Sequence, residues 1–230
     1  MTIAARLQAV RARIASACAA AGRDPAAVTL VAVSKGHAVP AIEAALASGQ
    51  RVFGENRIGE LAEKATALAA AAPVWHMIGS VQTNKVATLM GVPGLALVHS
   101  LDRVGLADAL QARCGAREPL ACLLEIAATG EREKHGVLPA ETAALLRHVQ
   151  HACPALRVVG LMAMGPREGD PQPVFTAVAA LRDRLQQAAG CSLPVLSMGM
   201  TGDLEAAVAA GSTMVRVGTG IFGERVASLR

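Results

Sequence analysis

Eight short runs of β-branched and aliphatic residues along this chain are separated by seven longer stretches rich in Ala, Leu and Glu. Parallel strands cannot be joined by tight hairpins, so this alternation predicts a parallel sheet whose strands return through helical crossovers. The strand candidates are Thr29–Lys35, Arg51–Gly54, Val74–Gly79, Leu95–Ser100, Leu120–Ala127, Leu156–Met164, Val195–Met200 and Met214–Val217. Helical stretches fall near 39–48, 56–71, 83–90, 103–113, 139–151, 173–189 and 202–210. Eight units within 230 residues fit a single (β/α)8 TIM barrel better than an open doubly wound sheet. An amphipathic segment, Ile3–Ala20, precedes the first strand and predicts an extra helix within 1–22 that packs on the barrel. No Pro/Gly/Ser linker or charge block divides the chain, so residues 1–230 are expected to form one domain. Pro166–Pro173 reads as a polar loop after the sixth strand, on the face where barrels carry function.

Composition narrows the function classes. With 53% hydrophobic and 17% charged residues, the chain lacks the signature of disorder. Its net charge of +4 is spread out, and three Phe, one Trp and no Tyr offer few stacking platforms, which argues against nucleic acid and for a small anion. Cys18, Cys114, Cys122, Cys153 and Cys191 form no C-x-x-C pair, so neither a disulfide framework nor a zinc site is expected. Arg6, Arg11 and Arg13 interrupt any signal-peptide core, and no long apolar span occurs, so a soluble cytoplasmic protein is expected.

In a barrel, function belongs at the C-terminal ends of the strands. Lys35 ends the apolar run LVAVS, with Val31 and Val33 on its face and Ser34 on the other. In MVRVGTGIFG, Arg216 shares a face with Met214 and Gly218, which aims a guanidinium into the mouth that Lys35 enters. Gly218, Thr219 and Gly220 follow where barrels commonly cradle phosphate, and Ser197 and Gly199 in LSMGMTGD approach the same place. Each feature has a plainer reading: a solvated strand-end lysine, a closing Gly turn, a helix-capping Thr201. Their convergence requires closure, because only then do strands one and eight adjoin. Together they describe a phosphate ligand bearing an aldehyde.

The stretches AVSK (32–35), FGEN (53–56), WHMIGSVQTNK (75–85), GLMAM (160–164) and LSMGMTGDLEAAVAAGSTMVRVGTGIFG (196–223) closely resemble the pyridoxal phosphate homeostasis proteins. The resemblance implies a barrel like the N-terminal domain of alanine racemase, with pyridoxal 5′-phosphate (PLP) held as an internal aldimine on Lys35. By similarity, Ser197, Gly218 and Thr219 receive the phosphate with Gly199 beside them, and Arg216 faces the pyridine nitrogen. An always-charged guanidinium there keeps that nitrogen unprotonated and makes the ring a poor electron sink. Asn56, His76 and Met162 resemble pocket-lining residues, although His76 alone reads more readily as a hydrogen-bonded core histidine and Asn56 alone as a helix cap, and Lys134 matches a loop lysine of relatives. The chain departs from the family pattern at Gly36, Arg57, Gly59, Ser80 and Gly202, all close to these positions.

Three functions follow. The first is a PLP carrier in vitamin B6 homeostasis without robust catalysis, a monomer serving apo PLP enzymes. Two-base racemisation of the alanine racemase type uses a Tyr from a second domain, and this sequence has no Tyr. The alternatives are a small PLP-dependent amino-acid racemase or lyase, with His76 or water as second proton carrier, and a sugar-phosphate enzyme using a Lys35 Schiff base.

Overall fold

In the computed structural model, which describes residues 1–114, 119–129 and 135–224, the apolar runs become eight strands. They are β1 (Thr29–Val33), β2 (Val52–Glu55), β3 (Val74–Met77), β4 (Leu95–Leu101), β5 (Leu120–Glu125), β6 (Leu156–Met162), β7 (Val195–Ser197) and β8 (Met214–Val217). Each pairs in parallel with its sequence neighbour, and β8 closes on β1, giving a barrel in the order β1 to β8. Helix α1 (Ile3–Ala20) precedes the barrel. The crossovers contain α2 (Val39–Ala47), α3 (Ile58–Ala67), α4 (Val86–Met90), α5 (Val104–Cys114), α6 (Thr142–Ala152), α7 (Gln172–Ala189) and α8 (Leu204–Ala209), and the short α9 (Thr219–Phe222) follows β8.

Strand alternation sorts the apolar residues into two layers. Outward side chains such as Ala32, Phe53, Trp75, Met77 and Leu196 join the helices in the large core, whereas Val31, Leu97, Leu123, Met162 and Met214 pack inside the barrel. Helix α1 lies across α2, α8 and α9 and buries Leu7, Val10, Ile14, Ala17 and Cys18, a stripe at helical spacing. Arg13 fixes it with a two-pronged bond to Glu205 at 2.8 and 2.9 Å and a third to the Thr201 carbonyl at 2.9 Å.

The strands are shorter than the apolar runs. The first ladder ends at Val33, leaving Lys35 two residues beyond it, and the seventh ends at Ser197 because the chain turns at Gly199, where φ is +90°. A Cβ at Gly199 would lie 2.6 Å from that of Ala207, so this turn admits only glycine. The helical stretch at 56–71 starts later, at Ile58, since the chain bends at Asn56 and Arg57 is still extended, and its tail becomes a separate 3-10 turn over Ala69–Ala71.

Above the apolar floor the barrel interior is polar. His76 of β3, His99 of β4, Ser197 of β7 and Arg216 of β8 are all buried and bonded in a row. Arg216 Nη1 lies 2.7 Å from Ser197 Oγ, Ser197 Oγ 3.1 Å from His99 Nδ1, and His99 Nε2 3.0 Å from His76 Nδ1. The guanidinium donates to the Ser197 hydroxyl, and the direction of the two bonds beyond it is set by the tautomers of His99 and His76. Both imidazoles are held neutral by their burial. Burial pulls His76 down to about 4 and His99 well below the ordinary histidine range, the latter reinforced by His76 and Arg216.

Two outcomes test this architecture. Gly160 pairs with Val195 across β6 and β7, and a Cβ there would collide with the Val195 carbonyl. Gly160→Ala should lower urea-unfolding stability by more than about 2 kcal/mol, whereas Gly59→Ala, in open space at the start of α3, should raise it by up to about 1 kcal/mol. A histidine whose folded pKa is depressed gives stability that is present above its unfolded pKa and lost as pH falls toward the folded one. The difference in unfolding free energy between wild type and His76→Gln should therefore shrink by about 3 kcal/mol from pH 7 to pH 4; a pH-independent difference would mean that His76 is not held neutral.

Candidate functional site

A cavity of about 440 Å³ opens at the C-terminal ends of the strands. Of the residues singled out from sequence, Lys35, Asn56, Met162, Arg216, Gly218 and Thr219 line it. The β1–β8 ladder makes this possible, with Val31 opposite Arg216 and Ala32 opposite Val217, so that Lys35 emerges beside the loop that follows β8. The approach is close: a Cβ on Gly218 would lie 3.2 Å from the Val33 carbonyl. The other three predicted residues are absent from the wall. His76 and Ser197 lie in the buried row beneath the cavity, and Gly199 is the turn that brings Met200, Thr201 and Gly202 to it. Lys134 lies outside the described residues, and no residue of 166–173 is among the described lining residues.

Arg216 is held from behind. Nη1 donates to the Ser197 carbonyl at 2.6 Å and to its hydroxyl at 2.7 Å, and Nη2 donates to the Ala163 carbonyl at 3.1 Å. These bonds use one edge of the fork and fix its plane. Burial lowers the guanidinium to about 10, with Glu125 and Asp203 opposing, so it remains charged at neutral pH. Ser197 thus reaches the site through Arg216.

Sequence reasoning passed over several lining residues. Glu125 ends β5, is only 5% exposed and faces the cavity. Burial pushes its carboxyl up to about 7, Asp102 adds to the rise and Arg216 opposes it, leaving a group that exchanges a proton near neutrality. Its signal was an acid closing the apolar run LACLL, a pattern shared by many surface-ending strands. Thr201, which enters the sequence reading only as a helix cap in the plainer view of its turn, lines the wall, and its hydroxyl accepts a bond from that of Thr219 at 3.2 Å. Met162 and Met164 supply an apolar side, while Ile78, Gly79 and Ser80 form the part contributed by the loop after β3. One cavity therefore combines a primary amine, a fixed cation, paired hydroxyls, an apolar wall and a titratable carboxyl. That set suits a small, flat, anionic carbonyl compound.

The chain matches the family described as alanine racemase, N-terminal domain, over residues 5–226. It is 41% identical to the pyridoxal phosphate homeostasis protein of Mus musculus over an alignment of 236 residues, covering 95% of this chain and 85% of that one. It is 40% identical to the protein of the same name from Aquifex aeolicus over 229 residues, covering 98% and 99%. Among solved structures, PipY of Synechococcus elongatus with PLP bound aligns with a TM-score of 0.83 and 32% identity, covering 96% of this chain and all of that one. The closed barrel with its amine and guanidinium at one mouth and these full-length likenesses agree: the chain belongs to the pyridoxal phosphate homeostasis family, built on the barrel of the alanine racemase N-terminal domain.

Proposed function

We propose that this protein binds PLP as a Schiff base on Lys35 and serves intracellular PLP homeostasis without robust catalysis, as a monomeric, single-domain cytoplasmic carrier that hands the cofactor to apo-enzymes. The observation that carries this reading is the meeting of Lys35 and Arg216 on the wall of one cavity, with Gly218, Thr219 and Thr201 at its hydroxyl-bearing side. The donor set fits PLP, and the names of full-length relatives support the same ligand. When bound, PLP supplies an aldehyde carbon and an electron-withdrawing ring. Lys35 offers the amine for that carbon. Thr201 and Thr219 would offer hydroxyls to the phosphate beside the bare backbone of Gly218, Met162 and Met164 would give the ring an apolar wall, and the fixed charge of Arg216 would discourage protonation of the ring nitrogen. This last feature supports holding over catalysis. Four of the five cysteines are buried, and all five are free thiols, consistent with a reducing compartment.

One observation favours the second reading, a slow racemase or lyase. Glu125 faces the cavity with a carboxyl held near 7, which suits a proton carrier, whereas His76 is sealed in the buried row and cannot meet a substrate.

After incubation with PLP and borohydride reduction, tryptic mapping should find the pyridoxyl mass on the Lys35 peptide, and Lys35→Ala should fold but carry none. An adduct on another lysine in wild type would end the assignment. Solvent deuterium exchange at Cα across a panel of amino acids should stay well below about 1 per second; faster turnover that disappears in Glu125→Gln would establish the enzyme reading.

A further inference from the structure

Lys35 stands outside the barrel ladder, yet the backbone on both sides of it is tied down. The anchor is a buried ion cluster between the ends of β1 and β2 and the helix α3, formed by residues that do not touch the cavity. Lys64 on α3 is 5% exposed, and its ammonium donates to the Ser34 carbonyl at 2.8 Å, to Glu55 Oε1 at 2.6 Å and to Glu60 Oε1 at 2.7 Å. All three of its N–H donors are used. The Ser34 hydroxyl donates to the same Glu55 oxygen at 2.7 Å, and the Gly36 N–H donates to the same Glu60 oxygen at 2.5 Å. Ser34 and Gly36 are the residues immediately before and after Lys35. Gly36 also has φ +74°, a conformation that favours glycine.

We infer that Glu55, Glu60 and Lys64 position Lys35, fixing the main chain at Ser34 and Gly36 so that the Lys35 side chain starts in one direction and its amine meets the aldehyde carbon of PLP. The inference rests on the proposal that Lys35 is the attachment point. In that step the Lys35 nitrogen bonds to the aldehyde carbon, the carbon–oxygen double bond breaks, and the oxygen leaves as water carrying both amine hydrogens. No redox partner is needed.

Two features favour positioning over simple attachment of α3. Burying ions is costly, and an apolar contact of the same volume would hold a helix to a barrel at least as well. The bonds also converge on two main-chain groups, Ser34 O and Gly36 N–H, that flank a single side chain. The cluster carries a residual defect too: Glu55 Oε2 is buried without a hydrogen-bond partner, and burial raises that carboxyl despite Lys64 and Ser34. Burial would raise Glu60 as well, but the bonds from Lys64 and the Gly36 N–H leave it below the ordinary carboxylate range.

The test compares dissociation constants for PLP and for pyridoxine 5′-phosphate, which has the same ring and phosphate but an alcohol in place of the aldehyde. Lys64→Met and Glu60→Ala should weaken PLP binding about tenfold or more while changing pyridoxine 5′-phosphate binding less than about twofold. Glu60→Gln, whose amide oxygen can still accept from Gly36, should restore most of the PLP affinity. Equal losses for both ligands, or unchanged PLP affinity, would overturn the positioning role. Should Lys64→Met not fold, the Glu60 pair decides alone, because that side chain is partly exposed. Wild-type protein reduced with borohydride serves as reference: absence of label on Lys35 there defeats the functional reading itself, whereas labelled wild type with unaffected variants defeats only the positioning claim.

Discussion

Hydrogen bonding between the first and last strands is the constraint from which the site follows. Lys35 and Arg216 are 181 positions apart, and nothing local in the chain relates them. The parallel ladder from Thr29–Met214 to Ala32–Val217 makes their strand ends neighbours, so closure is at once the completion of the fold and the assembly of the site. Closure also removes both sheet edges and encloses the interior, which lets a buried guanidinium keep one orientation.

Around that seam the protein places polar groups where apolar ones would pack more simply. Inside the barrel, a continuous row of hydrogen bonds runs from Arg216 through Ser197 and His99 to His76. Outside the wall, the Glu55–Lys64–Glu60 cluster grips the chain around Lys35. Both networks are largely buried, and each converges on a residue that lines the cavity, Arg216 for the first and Lys35 for the second. Natural proteins accept such arrangements mainly where they hold a working site in place.

The barrel was legible because its signal is periodic and repeated: strands such as Leu156–Met162 and helices such as Gln172–Ala189 each carry enough apolar pattern to be found within a few residues. Strand ends were less legible, since the apolar runs continue past Val33 and Ser197 while the ladder does not; glycine conformations at Gly36 and Gly199, which composition does not reveal, decide where the chain turns. At the site, Lys35, Arg216, Gly218 and Thr219 were readable as unusual residues at strand ends. Ser197 and His76 were identified, but their depth was not, because alternation says inward without saying how far up the barrel. Glu125 and Lys64 were missed for a related reason. A strand-end acid and a helical lysine look like ordinary surface charges until the tertiary fold brings Arg216 to one and Ser34, Glu55 and Glu60 to the other.

The proposed site holds one small molecule between an amine just beyond the end of β1 and a guanidinium from β8. A crystal structure of the protein grown with PLP tests this most directly. It should show continuous density from Lys35 Nζ to the cofactor, the phosphate beside Gly218 and Thr219, and Arg216 within hydrogen-bonding distance of the ring nitrogen. PLP lying elsewhere, or seated in the cavity with Lys35 turned away and Arg216 out of reach, would contradict it.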